Sequence, residues 1–253
     1  MLNIKDLLKF VRHLHVWLPL FCVSILCLLS VLSLSWPINT TPPQKVELQH
    51  WIWQAQDMEF IEQSDGIVIM QGEFQQVDNQ VVFVKKGLAP HPVKFQGSVR
   101  LLVRVYALPP VAEFIAQVNY LLQNWQHSGT SVAGIQVDYD SPAAQLDHYH
   151  RYLQKVSHHY GREFISITGL SSWLADNLPA LNRFGDVVDY VAIQFYQYHL
   201  PVPQVEQHIA RLPRLKVPYK VGITTAPRFA ELQFNDSPYY TGKLIFLNTR
   251  KLL

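Results

Sequence analysis

Gly134-Ile135-Gln136-Val137-Asp138-Tyr139-Asp140 alternates apolar and polar side chains along its length. In a strand, successive side chains point to opposite faces, so Ile135, Val137 and Tyr139 form one row and Gln136, Asp138 and Asp140 the other. The apolar row requires cover from packed helices. The polar row then points the opposite way, and the rest of the chain indicates what lies there.

Seven further short apolar runs have strand character: Leu48–Trp53, Gly66–Gln71, Val99–Val105, Phe164–Gly169, Tyr190–Tyr196, Tyr219–Thr225 and Lys243–Leu247, beside the extended run Val132–Asp138. Helical spacing separates several of them. Val111, Phe114, Ile115, Val118, Leu121, Leu122 and Trp125 mark one stripe. Leu146, Tyr149, Leu153, Val156 and Tyr160 mark a second, with Ser141 as its expected cap and Pro142 at its first turn. Weaker helices fit Ala55–Glu62, Trp173–Phe184 and Gln204–Leu212. Strand–helix alternation implies parallel pairing, and eight repeats imply an α/β fold, a small (β/α)8 TIM-like barrel. Its helix ring is incomplete: Gln75–Lys86 looks like a hairpin around Asp78-Asn79, and no helix pattern follows the eighth strand. The competing open doubly wound sheet lacks its glycine-rich phosphate loop after the first strand.

In a barrel, one row of each strand faces the axis. The test that turns Gln136, Asp138 and Asp140 inward also turns Ser166 and Thr168 inward on the fifth strand, and Ala192, Gln194 and Tyr196 on the sixth. On the third strand Arg104 shares a row with Leu102. Polar groups converging at the C-terminal ends of barrel strands are where such enzymes keep their sites.

The remainder of the sequence sets limits. The chain has 253 residues, 49% of them apolar, a net charge of +2 and 16% charged residues. With no long basic run, nucleic acid is not an expected partner. The only cysteines, Cys22 and Cys27, fall in the N-terminal apolar run, so the body has no disulfide framework, cysteine metal site or thiol nucleophile. Lys5, Lys9 and Arg12 precede the apolar stretch Val16–Trp36, which is long enough to span a membrane. The expectation is a basic cytoplasmic segment (1–15), a transmembrane anchor or signal segment (16–36), a proline-bearing linker (37–45) and a barrel domain (46–253) held outside the cell membrane, in the periplasm or extracellular. Ser33-Leu34-Ser35 also allows cleavage after Ser35.

The run Gly134–Asp140 resembles the fourth-strand signature of family 18 glycoside hydrolases, the chitinases and their relatives: Gly, apolar, Asp, apolar, Asp, aromatic, Glu. The body from Val46 to Leu253 is similar to a group of uncharacterised bacterial barrel proteins in the same glycosidase superfamily. That likeness rests on Gly-Ile-Gln-x-Asp-x-Asp and on Ser166-Ile167-Thr168 followed by Trp173. The resemblance implies that Asp138 orients and charges a substrate acetamide and that Asp140 stands at the catalytic acid. This chain has Asp140 where the family has Glu, and Gln136 where it has an outer aspartate.

The candidate catalytic residues are therefore Asp138 and Asp140. The candidate substrate-binding residues are Gln136, Gln194, Tyr196, Arg104, Trp173 and Glu73, with no metal and no cofactor. Like charges two residues apart raise one pKa, which favours a proton on Asp140. Each residue also has a structural reading: Asp140 as the next helix's cap, Asp138 as a buried countercharge for Arg104, Gln194 as a core amide, and Trp51, Trp53 and Trp173 as core. His148, His150, His158 and His159 lack metal-ligand spacing, and no Gly-x-Ser-x-Gly elbow occurs. The expected function is a membrane-anchored, monomeric glycoside hydrolase acting on a polysaccharide or oligosaccharide. The alternative is an inactive barrel that binds glycan or scaffolds an envelope complex.

Overall fold

A computed structural model describes residues 46–198, 200–234 and 237–247. The elements, in chain order, are β1 (Glu47–Ile52), β2 (Gly66–Val77), β3 (Gln80–Lys85), β4 (Ser98–Val105), α1 (Val111–His127), β5 (Gly134–Asp138), α2 (Leu146–Tyr160), β6 (Ile165–Leu170), α3 (Trp173–Asp176), α4 (Leu178–Asn182), β7 (Val191–Gln194), β8 (Tyr196–Gln197), β9 (Leu200–Pro201), α5 (Val205–Ile209), β10 (Tyr219–Thr224) and β11 (Tyr240–Phe246). Eight strands pair in parallel in the order β1-β2-β4-β5-β6-β7-β10-β11. β11 pairs back onto β1, so the sheet closes. All eight strand-like runs of the sequence are staves of this barrel. β3 lies outside it, antiparallel to β2. Asp78 and Asn79, both left-handed with φ of 47° and 62°, make the tight turn between them, residues suited to that conformation.

The apolar rows face outward as expected. Ile135, Val137, Ile165, Ile167, Val191, Ile193 and Phe195 pack with Phe114, Val118, Leu121 and Trp125 of α1 and with Leu146, Tyr149, Leu153 and Val156 of α2. A second apolar cluster fills the lumen: Trp51, Val68, Met70, Leu102, Tyr190, Ala192 and Leu244. Gly222 makes room for Trp51, since a Cβ there would come within 2.9 Å of the indole ring. Below this cluster the barrel floor is polar. Lys220, 2% exposed, pairs with Glu47 at 2.8 Å and lies 4.9 Å over the Tyr190 ring. Arg100 is ion-paired with Asp189 and donates to the carbonyls of Glu163 and Phe164.

Several helices differ from expectation. The run Trp173–Phe184 is broken into α3, α4 and a 3-10 turn at Arg183–Asp186. Asn177 leaves helical geometry (φ −156°, ψ 54°), caps α4 by accepting from the Ala180 amide, and precedes Pro179, which cannot donate to a continuing helix. Ala55–Gln63 is 3-10 rather than α, and α5 stops at Ile209 before a 3-10 turn containing Pro213. Ser141 does not cap α2: a 3-10 turn, Ala143–Gln145, intervenes, and the Ser141 hydroxyl turns to the Pro142 carbonyl. The expected membrane segment, Val16–Trp36, and the chain beyond Leu247 lie outside the described residues. Among those described, no helix is long and apolar enough to cross a membrane.

Candidate functional site

A cleft of about 1210 Å³ opens at the C-terminal ends of the barrel strands. Arg104, which lines it, is held from beneath by Asp138, the last residue of β5, which is 3% exposed and does not itself line the cleft. Both carboxylate oxygens are engaged: Arg104 Nε donates to one at 2.7 Å and Thr168 Oγ1 to the other at 2.6 Å. The partners come from the flanking strands, with Arg104 directly in register with Asp138. The Arg104 guanidinium also lies over the Trp53 ring at 5.0 Å and the Tyr106 ring at 5.9 Å. Burial works against its charge, but the charge and hydrogen bond of Asp138 outweigh that and hold it protonated.

Asp140 is in a different state. It lines the cleft at the exposed rim and makes no cap to the following helix. Its carboxylate has no hydrogen-bond or ion-pair partner among the described residues. Although the residue reaches solvent, desolvation by the cleft walls raises its pKa above the ordinary aspartate range. The nearby Asp138 charge adds to this, and Arg104 opposes it. Two carboxyls from one strand end thus diverge. One is fixed by hydrogen bonds on both oxygens; the other is unpartnered, with its pKa raised.

Gln194 and Tyr196, from the inward row that ends β7 and begins β8, also line the cleft. Neither side chain has a hydrogen-bond partner among the described residues. Burial and then the Asp138 charge push the Tyr196 phenol up, so at neutral pH it is a donor. Together with Asp140, they present three unpartnered polar groups to the same space.

The remaining expected site residues lie elsewhere. Gln136 is fully buried one layer down, accepting from Trp51 Nε1 at 2.5 Å and donating to Tyr190, and does not line the cleft. Trp173 is fully buried outside the barrel. Its ring packs on Gly169 and stacks on Phe184, while Nε1 donates to the Ser141 carbonyl at 2.9 Å. It anchors the loop that follows Asp140 and is no sugar platform. Glu73 is in register with Arg104 only because β2 shifts register between Met70 and Gly72, around the buried Gln71. Its carboxylate does not line the cleft and is taken by Gln75 at 2.6 Å and, at 2.5 Å, by Lys86, which does line it.

Beside Tyr196 stands an aromatic wall: sequence reading gives Trp53 to the core, and Phe246 and Tyr198 carry no sequence expectation. Trp53, Phe246 and Tyr198 all line the cleft. Tyr196 stacks on Phe246 at 5.6 Å, and Trp53 meets Phe246 edge-on at 5.7 Å. Asp57 fixes the start of this wall by accepting from the backbone amides of Trp53 and Gln54. Trp53 shares the inward row of Trp51, and Phe246 that of Leu244, so alternation alone carried the signal for both. Tyr198 and His208 come from an excursion after β7 that has no such periodicity. Among the described residues no cluster of three or more His, Cys, Asp and Glu side chains is grouped to hold a metal ion.

Residues 98–204 match a family described as a domain of unknown function, DUF3142. No curated protein matches the chain. Among solved structures, the ICChI chitinase from Ipomoea carnea is 14% identical, with a TM-score of 0.48, covering 79% of this chain and 94% of that one. The catalytic domain of a family GH18 chitinase from the fern Peteris ryukyuensis is 12% identical, with a TM-score of 0.48, covering 79% of this chain and 90% of that one.

Proposed function

We propose that this barrel is an extracytoplasmic glycoside hydrolase acting on a polysaccharide that bears acetamido groups, with Asp140 as general acid. The observation that carries the reading is the pair of divergent carboxyls: Asp140 free in the cleft with a raised pKa, Asp138 beneath it bound on both oxygens. Glycoside cleavage requires one protonated carboxyl at the leaving oxygen and a second group facing the anomeric carbon. Among the described residues the other carboxylate lining the cleft is Asp57, which accepts from the backbone amides of Trp53 and Gln54. The second group therefore comes from the substrate. Asp140 gives its proton to the glycosidic oxygen, the bond from that oxygen to the anomeric carbon breaks, and the neighbouring acetamide oxygen takes the carbon. Water, deprotonated by the Asp140 carboxylate, then opens the cyclic intermediate and returns the proton. Gln194 and Tyr196 supply the unpartnered donors that hold the acetamide. Asp138 contributes its field and the placement of Arg104 and Thr168.

A second reading, an inactive glycan-binding barrel, is favoured by the length of Asp140, whose reach is about one C–C bond short of the glutamate in the resembling signature. Asp140→Asn separates the two. Its amide keeps the shape and cannot donate the catalytic proton, so hydrolysis of N-acetylglucosamine oligomers should fall by roughly 10²–10⁴ with folding nearly unchanged. Binding without turnover in the unaltered protein would leave the second reading standing.

A further inference from the structure

Four non-glycine described residues have positive φ: Asp78, Asn79, Tyr198 and Gln204. Asp78 and Asn79 occupy a hairpin turn of the kind that selects Asp and Asn. Tyr198 and Gln204 have no such excuse, and both line the cleft.

Tyr198 follows β8, at the first corner of the turn that pairs Gln197 with Leu200. Its φ of 58° is the left-handed region, where glycine or asparagine fits and a tyrosine is strained. Burial of the ring does not offset the strain, because the residue is 83% exposed. Glycine at this corner would therefore fold better. The described chain flanking the turn is held: Pro201 and Pro203 fix two φ angles, and the Val202 amide donates back to the Phe195 carbonyl at 2.9 Å. Strained residues held by a rigid frame beside a cleft are typical of ligand clamps. The cleft is also larger than the few hundred to about 1,000 Å³ usual for a single small molecule.

We propose that Tyr198 is the platform for a sugar unit outside the one held at Asp140, so that the cleft takes a chain rather than a single unit. The proposal rests on the carbohydrate reading and extends it to substrate length. A tyrosine ring offers a flat apolar face to sugar C–H groups while its hydroxyl stays in water.

The test is affinity for N-acetylglucosamine oligomers of one to six units, measured calorimetrically on the full chain. In the unaltered protein affinity should climb with length. Tyr198→Ala should abolish one step of that climb, about tenfold for the longer oligomers, and leave shorter ones unchanged. Tyr198→Phe and Tyr198→Trp should keep the step. Tyr198→Gly should lose it while melting at a higher temperature, which separates the loss of ring from any loss of fold. An unchanged climb in Tyr198→Ala, or a uniform fall at every length, overturns the platform alone. Failure of the unaltered protein to bind any oligomer overturns the carbohydrate reading and the platform with it.

Discussion

Asp138 and Asp140 differ by two positions and share a row, yet their surroundings give them opposite chemistry. Asp138 is bound on both oxygens by an arginine and a threonine from neighbouring strands; the pKa of Asp140 is raised by desolvation and by Asp138 itself. Asp138→Asn tests this coupling. It deletes the negative charge that helps raise Asp140 and leaves Arg104 unneutralised, and both effects lower the Asp140 pKa. A general acid must be protonated, so activity is lost as pH rises through that pKa. The alkaline limb of the pH–rate profile should therefore move to lower pH in Asp138→Asn, with a stability loss of about 2 kcal/mol from the disrupted pair. An unmoved limb would show that Asp140 does not sense Asp138. Alternation alone made the inward direction of both aspartates legible. It could not tell which carboxylate is paired, because Arg104 lies 34 positions away in sequence and only parallel register brings it alongside.

The eight staves were legible because each carries an outward apolar row, and the β2–β3 hairpin because Asp-Asn suits its turn. The register shift at Gln71 was not, since nothing local distinguishes it: its amide is satisfied by its chain neighbour Met70 and by Trp125 and Leu88, which tertiary contact brings there. The fractured helix after β6 was half visible in Pro179. The seam where β10 and β11 meet β1 makes a sharper demand on the floor. Lys220 is buried, while its partner Glu47 keeps 39% of its side chain in water. Removing Glu47 strands an ammonium, and removing Lys220 leaves a carboxylate that solvent still reaches. Glu47→Gln should therefore cost about 2–3 kcal/mol, whereas Lys220→Met should be neutral or stabilising by about 1 kcal/mol. Burial lowers the Lys220 pKa, with Glu47 opposing. A depressed folded-state pKa means stability is fully present above the unfolded value of 10.5 and is lost as pH falls through the folded one. That alkaline slope should vanish in Lys220→Met; equal losses in both variants, measured by denaturant unfolding, would contradict the asymmetry.

At the scale of the chain, the barrel closes on itself within residues 47–246, first strand against last. Contacts divide the protein into two units, Met1–Pro43 and Gln44–Leu253. Every strand of the closed sheet, both apolar clusters and every group in the cleft belong to the second unit. A chain beginning at residue 46 should therefore melt in one cooperative transition and keep the oligomer affinity of the full protein. The full chain carries in addition Lys5, Lys9 and Arg12 ahead of the apolar run 16–36. Basic residues are retained on the cytoplasmic side, so an uncleaved run would hold the barrel on the opposite face, where extracellular or envelope glycans are found. The full protein should then resist carbonate extraction, and its body should be digested by protease added to spheroplasts. A body protected from that protease would reverse the orientation, and release of the intact body by carbonate would point to cleavage after Ser35. Neither result would touch the chemistry of the cleft, because the truncated barrel would still carry it.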